Sequence, residues 1–241
     1  MNRDLTTGSV FKTILYFSLP YLLSYFLQTL YGMADLFIIG QYCGVESTTA
    51  VSIGSQVMHM LTVMIVGLAM GSTVMIGRAA GAKEKEKVNR AVGNTAVLFM
   101  SLSIVCTVLL LLSVRTIVSV MATPEEAVDG LIWYLNICFI GIPFITAYNI
   151  ISSVFRGMGD SKSPMYFIAV ACAFNIVLDY FFIGVLGFGT AGAALGTTLS
   201  QTISVLVSFV VIRKRGMIPG LCRADFRPKK DVLGNILKVG V

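Results

Sequence analysis

Residues 47–77 read STTAVSIGSQVMHMLTVMIVGLAMGSTVMIG, a stretch that contains no aspartate, glutamate, lysine or arginine. A helix needs about 20 consecutive, predominantly apolar residues to cross the hydrocarbon core of a bilayer. Surface helices of soluble proteins differ from this stretch because they carry a charged or polar face. The stretch therefore predicts a membrane-spanning helix and places the chain among integral membrane proteins.

Further apolar runs extend this prediction along the chain. They lie at residues 13–34, 91–114, 130–155 and 163–212, and only Asp179 interrupts the last of them. That run is long enough for two spans, and several glycines near its middle supply a turn. Charged residues make up 12% of the chain, about half the share in a soluble domain. We predict an all-α integral membrane fold, a six-transmembrane-helix bundle in residues 1–212, with helices at 13–40, 49–76, 91–114, 130–155, 164–183 and 191–212.

Basic residues are concentrated on one side of this topology. They occur in the N-terminal tail, in the second and fourth connections and after the sixth helix, whereas the other three connections together hold only Arg115. Because lysine and arginine mark the cytoplasmic side, we predict a multi-pass protein of the plasma (inner) membrane with a cytoplasmic N-terminus. Residues 213–230 are predicted to be a basic cytoplasmic linker, and residues 231–241 the start of a truncated seventh helix. No nucleic-acid partner is indicated.

Two carboxylates, Asp35 and Asp179, lie inside the apolar runs, and similar phrases follow them: Asp35-Leu-Phe-Ile-Ile-Gly40 and Asp179-Tyr-Phe-Phe-Ile-Gly184. A charged side chain at the centre of a membrane helix costs about 3 kcal/mol on insertion scales. At 1.5 Å per residue, each acid lies about 7.5 Å inside the outer end of its helix. Matching depth on two helices predicts a site for an ion, a proton or a substrate. The alternative is that both side chains reach the outer surface.

Other polar side chains lie at helical spacing or comparable depth around the two acids. The candidates for a cavity beside the acids are Gln28, Tyr31, Gln56, His59, Asn149, Asn175, Thr197 and Gln201. From the residues alone, His59 fits a proton relay or a neutral hydrogen bond between helices. Pro20 lies inside the first helix, where it is expected to kink the backbone or weaken its hydrogen bonding.

An enzymatic function is not predicted. The motif Gly157-Met-Gly159-Asp160 matches part of the signature of intramembrane aspartyl proteases, but the second acid of that signature belongs to a Tyr-Asp dipeptide, and here the order is Asp179-Tyr180. Asp160 also falls in a predicted cytoplasmic connection. The five cysteines lack metal-ligand spacing, and we expect no cofactor and no metal beyond a sodium site.

Five motifs, in order, resemble those of one transporter family. They are Met33-Ala-Asp35-Leu-Phe-Ile-Ile-Gly40, Gly77-Arg-Ala-Ala-Gly81, Phe155-Arg-Gly-Met-Gly-Asp160-Ser-Lys-Ser-Pro164, Asn175-Ile-Val-Leu-Asp179-Tyr and Gly192-Ala-Ala-Leu-Gly196-Thr. With them and the predicted topology, the chain resembles the multidrug and toxic compound extrusion family over essentially its whole length.

The resemblance implies a fold and an activity. Members have twelve helices in two six-helix lobes, and they export organic cations and other drugs against an inward flow of sodium or protons. The chain resembles the N-terminal lobe, so the implied partners are drug substrates, membrane lipid and a C-terminal six-helix lobe. The coupling ion, proton or sodium, stays open.

The resemblance also implies site residues. In the prokaryotic branch, the N-terminal lobe binds the cation through positions that match Asp35, Asn175, Asp179 and Thr197. For a family asparagine on helix four, Ser152 lies nearest and Asn149 one turn away. Pro20 matches a helix-one proline for which bending during transport has been proposed.

Two alternatives accompany this prediction. One is a lipid-linked saccharide flippase of the same superfamily, although such proteins usually need basic residues in their cavity and no predicted span holds one. The other is a non-transporting, degenerate half-protein.

Overall fold

The computed structural model describes residues 9–216, 222–228 and 230–240. The described residues are helical and contain no strand, so the predicted all-α membrane fold is confirmed. The helices are α1 (Val10–Tyr42), α2 (Val45–Gly81), α3 (Lys85–Val120), α4 (Glu125–Gly157), α5 (Lys162–Asp179), a π-helix (Tyr180–Val185), α6 (Gly189–Arg215), a 3-10 helix (Arg223–Phe226) and α7 (Lys230–Gly240).

Six helical segments are long and apolar enough to cross a membrane, with α5 and the π-helix forming one of them. Most are longer than predicted because the helices continue into polar residues beyond the apolar runs. The clearest case is α3, which begins at Lys85 inside the charged connection. Only a tight turn at residues 82–84 separates α2 from α3. Lys83 adopts a left-handed backbone conformation there (φ 59°).

The sixth helix also extends beyond its predicted end at residue 212. The last turn of α6 continues through Arg215 and ends at Gly216, whose left-handed conformation (φ 55°) is the usual helix-terminating use of glycine. The predicted linker at 213–230 therefore begins inside α6. Its residues 217–221 and 229, like the N-terminal residues 1–8 and Val241, lie outside the described part of the chain.

The segment after α6 packs against the bundle. The Asn94 side chain donates a hydrogen bond to the backbone carbonyl of Asp225 at 3.1 Å, which attaches the 3-10 helix to α3. Further along, Ile236 of α7 is buried beside Ala69 of α2 and Phe99 of α3. The predicted seventh helix thus begins at Lys230 and lies against α2 and α3.

The bundle is organised around α4, the most buried of the six spans, which packs against α2, α3 and α6. In its N-terminal half, Leu131, Leu135 and Phe139 form the centre of an apolar cluster. In its C-terminal half, the ring of Phe155 packs edge-on against Phe167 of α5, with 5.2 Å between ring centroids. Because lipid tails are as apolar as these side chains, close packing rather than exclusion from water stabilises the contacts.

The C-terminal ends of α2 and α4 approach each other closely at Gly157. A Cβ atom at this position would lie 2.9 Å from the side chain of Ile76 and 2.9 Å from the backbone carbonyl of Thr73. Small residues at helix interfaces allow such an approach in membranes. Gly157, the first glycine of the Phe155–Pro164 motif, therefore allows α2 and α4 to pack closely.

Gly157→Ala is expected to destabilise the bundle by about 1–3 kcal/mol, the usual cost of adding a methyl group to a closely packed interface. Thermal unfolding of the purified protein in detergent measures the effect. Gly67→Ala is the matched control, because nothing lies within 4 Å of a Cβ atom at Gly67. Equal unfolding temperatures for the two variants would contradict the close approach.

The first helix differs from the rest. Its buried residues are only Pro20, Asp35, Ile38 and Ile39, and most of its large apolar side chains are exposed. Two ring contacts attach its N-terminal half to the last turn of α4 and the first turn of α5. The Arg156 guanidinium lies 5.2 Å from the centroid of the Tyr21 ring, and the Lys162 ammonium lies 4.8 Å from that of Tyr16. Cation–π contacts of this kind contribute about 0.5–2 kcal/mol each.

Pro20, the predicted hinge, lies within α1, which runs through it as one helix. Proline removes one backbone donor from a helix, which weakens the helix locally. The Ser24 hydroxyl donates a hydrogen bond to the Pro20 carbonyl at 2.8 Å. The role of Pro20 in bending stays a prediction.

Candidate functional site

The two intramembrane acids face the interior of the bundle. Asp35 is 3% exposed and Asp179 is 0% exposed, so neither side chain reaches the surface as the alternative interpretation required. Asp35 lies in the C-terminal third of α1. Asp179 is the last residue of α5, and the π-helix begins directly after it. Single π-helical turns are rare and often occur at functional sites.

The structure brings together the four residues Asp35, Asn175, Asp179 and Thr197. The Asp35 carboxyl group lies close to the side chains of Asp179, Asn175 and Thr197, and Asn175 also lies close to Asp179. The Thr197 hydroxyl donates a hydrogen bond to Oδ2 of Asp35 at 3.2 Å. Three helices therefore contribute to one buried polar cluster, hereafter the diacid cluster.

Most of the hydrogen-bonding capacity of the diacid cluster is unused. Oδ1 of Asp35, both carboxyl oxygens of Asp179 and both amide atoms of Asn175 have no hydrogen-bond partner among the described residues. Buried polar atoms nearly always have a partner, and two adjacent carboxylates repel each other when both are ionised. The chemical complement of such a cluster is a positive charge, either a small cation held by oxygen atoms or a proton shared between the acids.

The donor atoms indicate which ions fit. The cluster offers carboxylate, amide and hydroxyl oxygens, which suit hard cations. In the described part of the chain, no group of three or more histidine, cysteine or acidic residues is placed to hold a metal ion. The arrangement is therefore unlike the sulfur- and nitrogen-rich sites that bind zinc or copper.

Tyr31, predicted from its spacing to Asp35, lies beside the diacid cluster. Its hydroxyl group interacts with Thr197 and lies close to both acids. Two residues of α4, Tyr134 and Cys138, were missed by the sequence reasoning; both are buried, interact with each other and lie near Asp35. Their four-residue spacing puts them on one helix face, a signal that was available from the sequence.

The other predicted cavity residues differ from one another in burial. Gln56 and His59 are exposed on α2, and Gln28 is half-buried on α1. Gln201 is buried one turn after Thr197 on α6, and its Oε1 has no hydrogen-bond partner within the described ranges. Of these four residues, only Gln201 shares the buried, unpaired character of the cluster.

The two candidates on helix four do not join the diacid cluster. The Asn149 amide donates to the carbonyl of Ile145 in its own helix at 2.8 Å. Ser152 is buried beside Tyr148. Asn149 lies about 16 Å along α4 from Cys138, at 1.5 Å per residue. Tyr134 and Cys138 are the residues of α4 that lie nearer Asp35.

Asp160 has a structural role at the other end of α5. Its carboxyl group accepts hydrogen bonds from the backbone N–H groups of Lys162 and Ser163 (3.1 and 3.0 Å) and from the Ser163 hydroxyl (2.6 Å). Arg215 of α6 donates to the same carboxyl group at 3.1 Å. Asp160 and Asp179 lie at opposite ends of α5, roughly 26 Å apart along the helix. They therefore do not form the paired acids of an aspartyl protease.

Asp160→Ala is expected to lower stability by about 1–2 kcal/mol, because it removes the carboxylate that caps the first turn of α5. The measurement is thermal unfolding in detergent, with Asp129→Ala as control, since Asp129 is exposed near the N-terminal end of α4. Any cation response that the diacid cluster confers should not change. A loss of that response without a loss of stability would assign Asp160 to the site instead.

Six apolar helices around a buried polar cluster define the chain as a multi-pass membrane protein. The sequence model of the MatE family matches residues 20–181, and the chain therefore belongs to that family.

Three comparisons give the extent of the similarity. "Probable multidrug resistance protein YoeA" of Bacillus subtilis is 31% identical over 240 residues, which are 97% of this chain and 52% of the relative. A solved MOP superfamily transporter from Pyrococcus furiosus superposes with a TM-score of 0.90 at 31% identity, covering 98% of this chain and 52% of that one. An outward-facing multidrug resistance MATE family transporter gives a TM-score of 0.88 at 31% identity, with coverage of 97% and 52%. The chain thus spans about half the length of these relatives.

Proposed function

We propose that this chain is the N-terminal lobe of a secondary active multidrug exporter, in which sodium ions or protons entering the cell drive drugs outward. In this proposal a second six-helix lobe completes the transporter, organic cations or other small-molecule drugs are its substrates, and no enzymatic step takes part. The observation that carries the proposal is the diacid cluster, where buried carboxylate and amide atoms lack partners within the described part of the chain. The names of the relatives support drugs as the substrates.

In the proposed mechanism, Asp35, Asp179, Asn175 and Thr197 hold the coupling cation. The positive charge removes the repulsion between the two carboxylates, which favours the liganded arrangement of α1 against α5 and α6. Cation and drug then alter each other's affinity reciprocally, as linkage requires of two ligands on one protein. Rocking of the two lobes exposes the sites alternately to each side of the membrane.

The proposed orientation follows from charge and from the position of the cluster. The basic ends of α2, α4 and α6 are assigned to the cytoplasm of the cell by the positive-inside rule. The diacid cluster then lies nearer the outer surface, because Asp35 is close to the end of α1 and Thr197 close to the start of α6. External cations would reach the cluster by a shorter path than internal ones.

Ethidium efflux tests the proposal. The two-lobe transporter is expressed in bacterial cells that lack other exporters, and efflux is followed by fluorescence. Collapse of the proton gradient or removal of sodium, whichever ion couples, is expected to stop efflux. Efflux that survives both treatments would contradict cation coupling. Cation binding without any drug efflux would instead favour the flippase or the non-transporting half-protein.

A further inference from the structure

The Asp179 carboxyl group lies directly against the backbone of α6. A Cβ atom at Gly196 would overlap Oδ1 of Asp179 and lie 3.1 Å from its carboxyl carbon. Gly196 is the residue immediately before Thr197, which donates a hydrogen bond to Asp35. The backbone of α6 therefore contacts one acid of the diacid cluster at Gly196 and holds the other through the side chain of the next residue.

Gly192, one turn before Gly196, brings α6 close to the π-helix without contacting either acid. A Cβ atom at Gly192 would lie 3.2 Å from the side chain of Ile183 and 3.2 Å from Phe182, both in the π-helix. Gly192 and Gly196 thus lie on one face of α6, which packs against the end of α5 and the π-helix. Only Gly196 contacts a group with unused hydrogen-bonding capacity.

We propose that Gly196 is a positioning residue for the cation site. Because glycine has no side chain, the Asp179 carboxyl group can lie against α6, and this position relative to Asp35 and Thr197 sets the cation affinity. This inference rests on the proposed function. The physical reason is geometric. Both oxygens of Asp179 are buried and unpaired within the described chain, so packing against α6 holds the carboxyl group in place. A methyl group at position 196 would push the carboxyl group away from α6, and cation coordination tolerates only small displacements of its ligands.

The test measures cation-dependent stabilisation of the purified chain in lipid nanodiscs. Unfolding temperature is recorded against sodium concentration at pH 8, and against pH from 8 to 5 without sodium. The wild type is expected to respond to sodium or to pH. Gly196→Ala is expected to shift the midpoint of that response by at least tenfold in sodium concentration, or by at least one pH unit. Gly192→Ala, the matched control, is expected to change the unfolding temperature and leave the midpoint unchanged. Equal midpoints for Gly196→Ala and wild type would overturn the inference.

A double-mutant cycle keeps the inference falsifiable if Gly196→Ala fails to fold. In an Asp179→Ala background the carboxyl group is absent, so Gly196→Ala is expected to be tolerated there. An equal loss of unfolding temperature in both backgrounds would make Gly196 a packing residue only and overturn the inference. The Asp179→Ala protein separates the two proposals. If Asp179→Ala keeps the full cation response, the proposed function fails. If Asp179→Ala loses the response but Gly196→Ala keeps the wild-type midpoint, only the role of Gly196 is refuted.

Discussion

Asp179→Asn is expected to abolish cation-driven efflux while raising the stability of the cation-free protein. Asparagine keeps the size of the side chain but removes its charge, so the repulsion between residues 35 and 179 disappears and no anionic pair remains to bind a cation. We expect cation affinity to fall at least tenfold, which corresponds to about 1.4 kcal/mol. Asp35→Asn should have the same effect on affinity, because the two carboxyl groups lie close together in the diacid cluster.

Two measurements check this result. Thermal unfolding of the purified chain against sodium concentration and pH should show a higher baseline temperature and a flat response for both variants. Ethidium efflux by the two-lobe transporter should fall to the level of cells that carry an empty vector. Asp129→Asn, an exposed acid at the outer end of α4, should match the wild type in both assays. Normal efflux by both diacid variants would refute the assignment of the site.

Asn175→Leu is the second substitution with a large expected effect. Asn175 is fully buried, and neither of its amide atoms has a hydrogen-bond partner in the described ranges. Replacing a buried, unpaired polar group with an apolar one of similar shape is neutral or stabilising. The same change removes an oxygen ligand from the diacid cluster, so cation affinity should fall at least tenfold while the cation-free protein becomes no less stable.

The opposite signs of these two effects separate a functional asparagine from a structural one. Asn136→Leu on α4 serves as control, because Asn136 is half-buried in an apolar span outside the cluster. Isothermal titration of the chain in nanodiscs gives the affinity, and thermal unfolding gives the stability. If Asn175→Leu unfolded at a much lower temperature without cation, Asn175 would be a packing residue and not a ligand.

Hydrophobicity and charge suffice to predict the six spans, because uncharged runs of this length have few other stable environments. The fold class and the convergence of Asp35 with Asp179 followed from the sequence for this reason. The ends of the helices did not, since residues such as Lys85 are compatible with either a helix or a loop and local contacts decide. The π-helix after Asp179 was also missed, because its extra residue per turn leaves no periodic signal in so short a segment.

Site residues on α4 were harder to predict than those on α1, α5 and α6. Asn149 was a candidate because it is polar and lies one turn from the family position, yet its amide N–H donates to a carbonyl of its own helix. Tyr134 and Cys138 were overlooked because both residue types are common in apolar cores. Which α4 residues lie level with Asp35 depends on where α4 begins. The sequence did not define that start, which the structure places at Glu125.

The sparse packing of α1 has a consequence for how the diacid cluster assembles. Three of its four residues, Asn175, Asp179 and Thr197, lie on α5 and α6, which pack tightly together. The fourth, Asp35, is one of only four buried residues in the 33 residues of α1. Under the proposed function, cation binding and the docking of α1 are therefore thermodynamically linked, so that each stabilises the other. A bound cation would act as a removable crosslink, and its release would remove one of the contacts that hold α1 against α5 and α6.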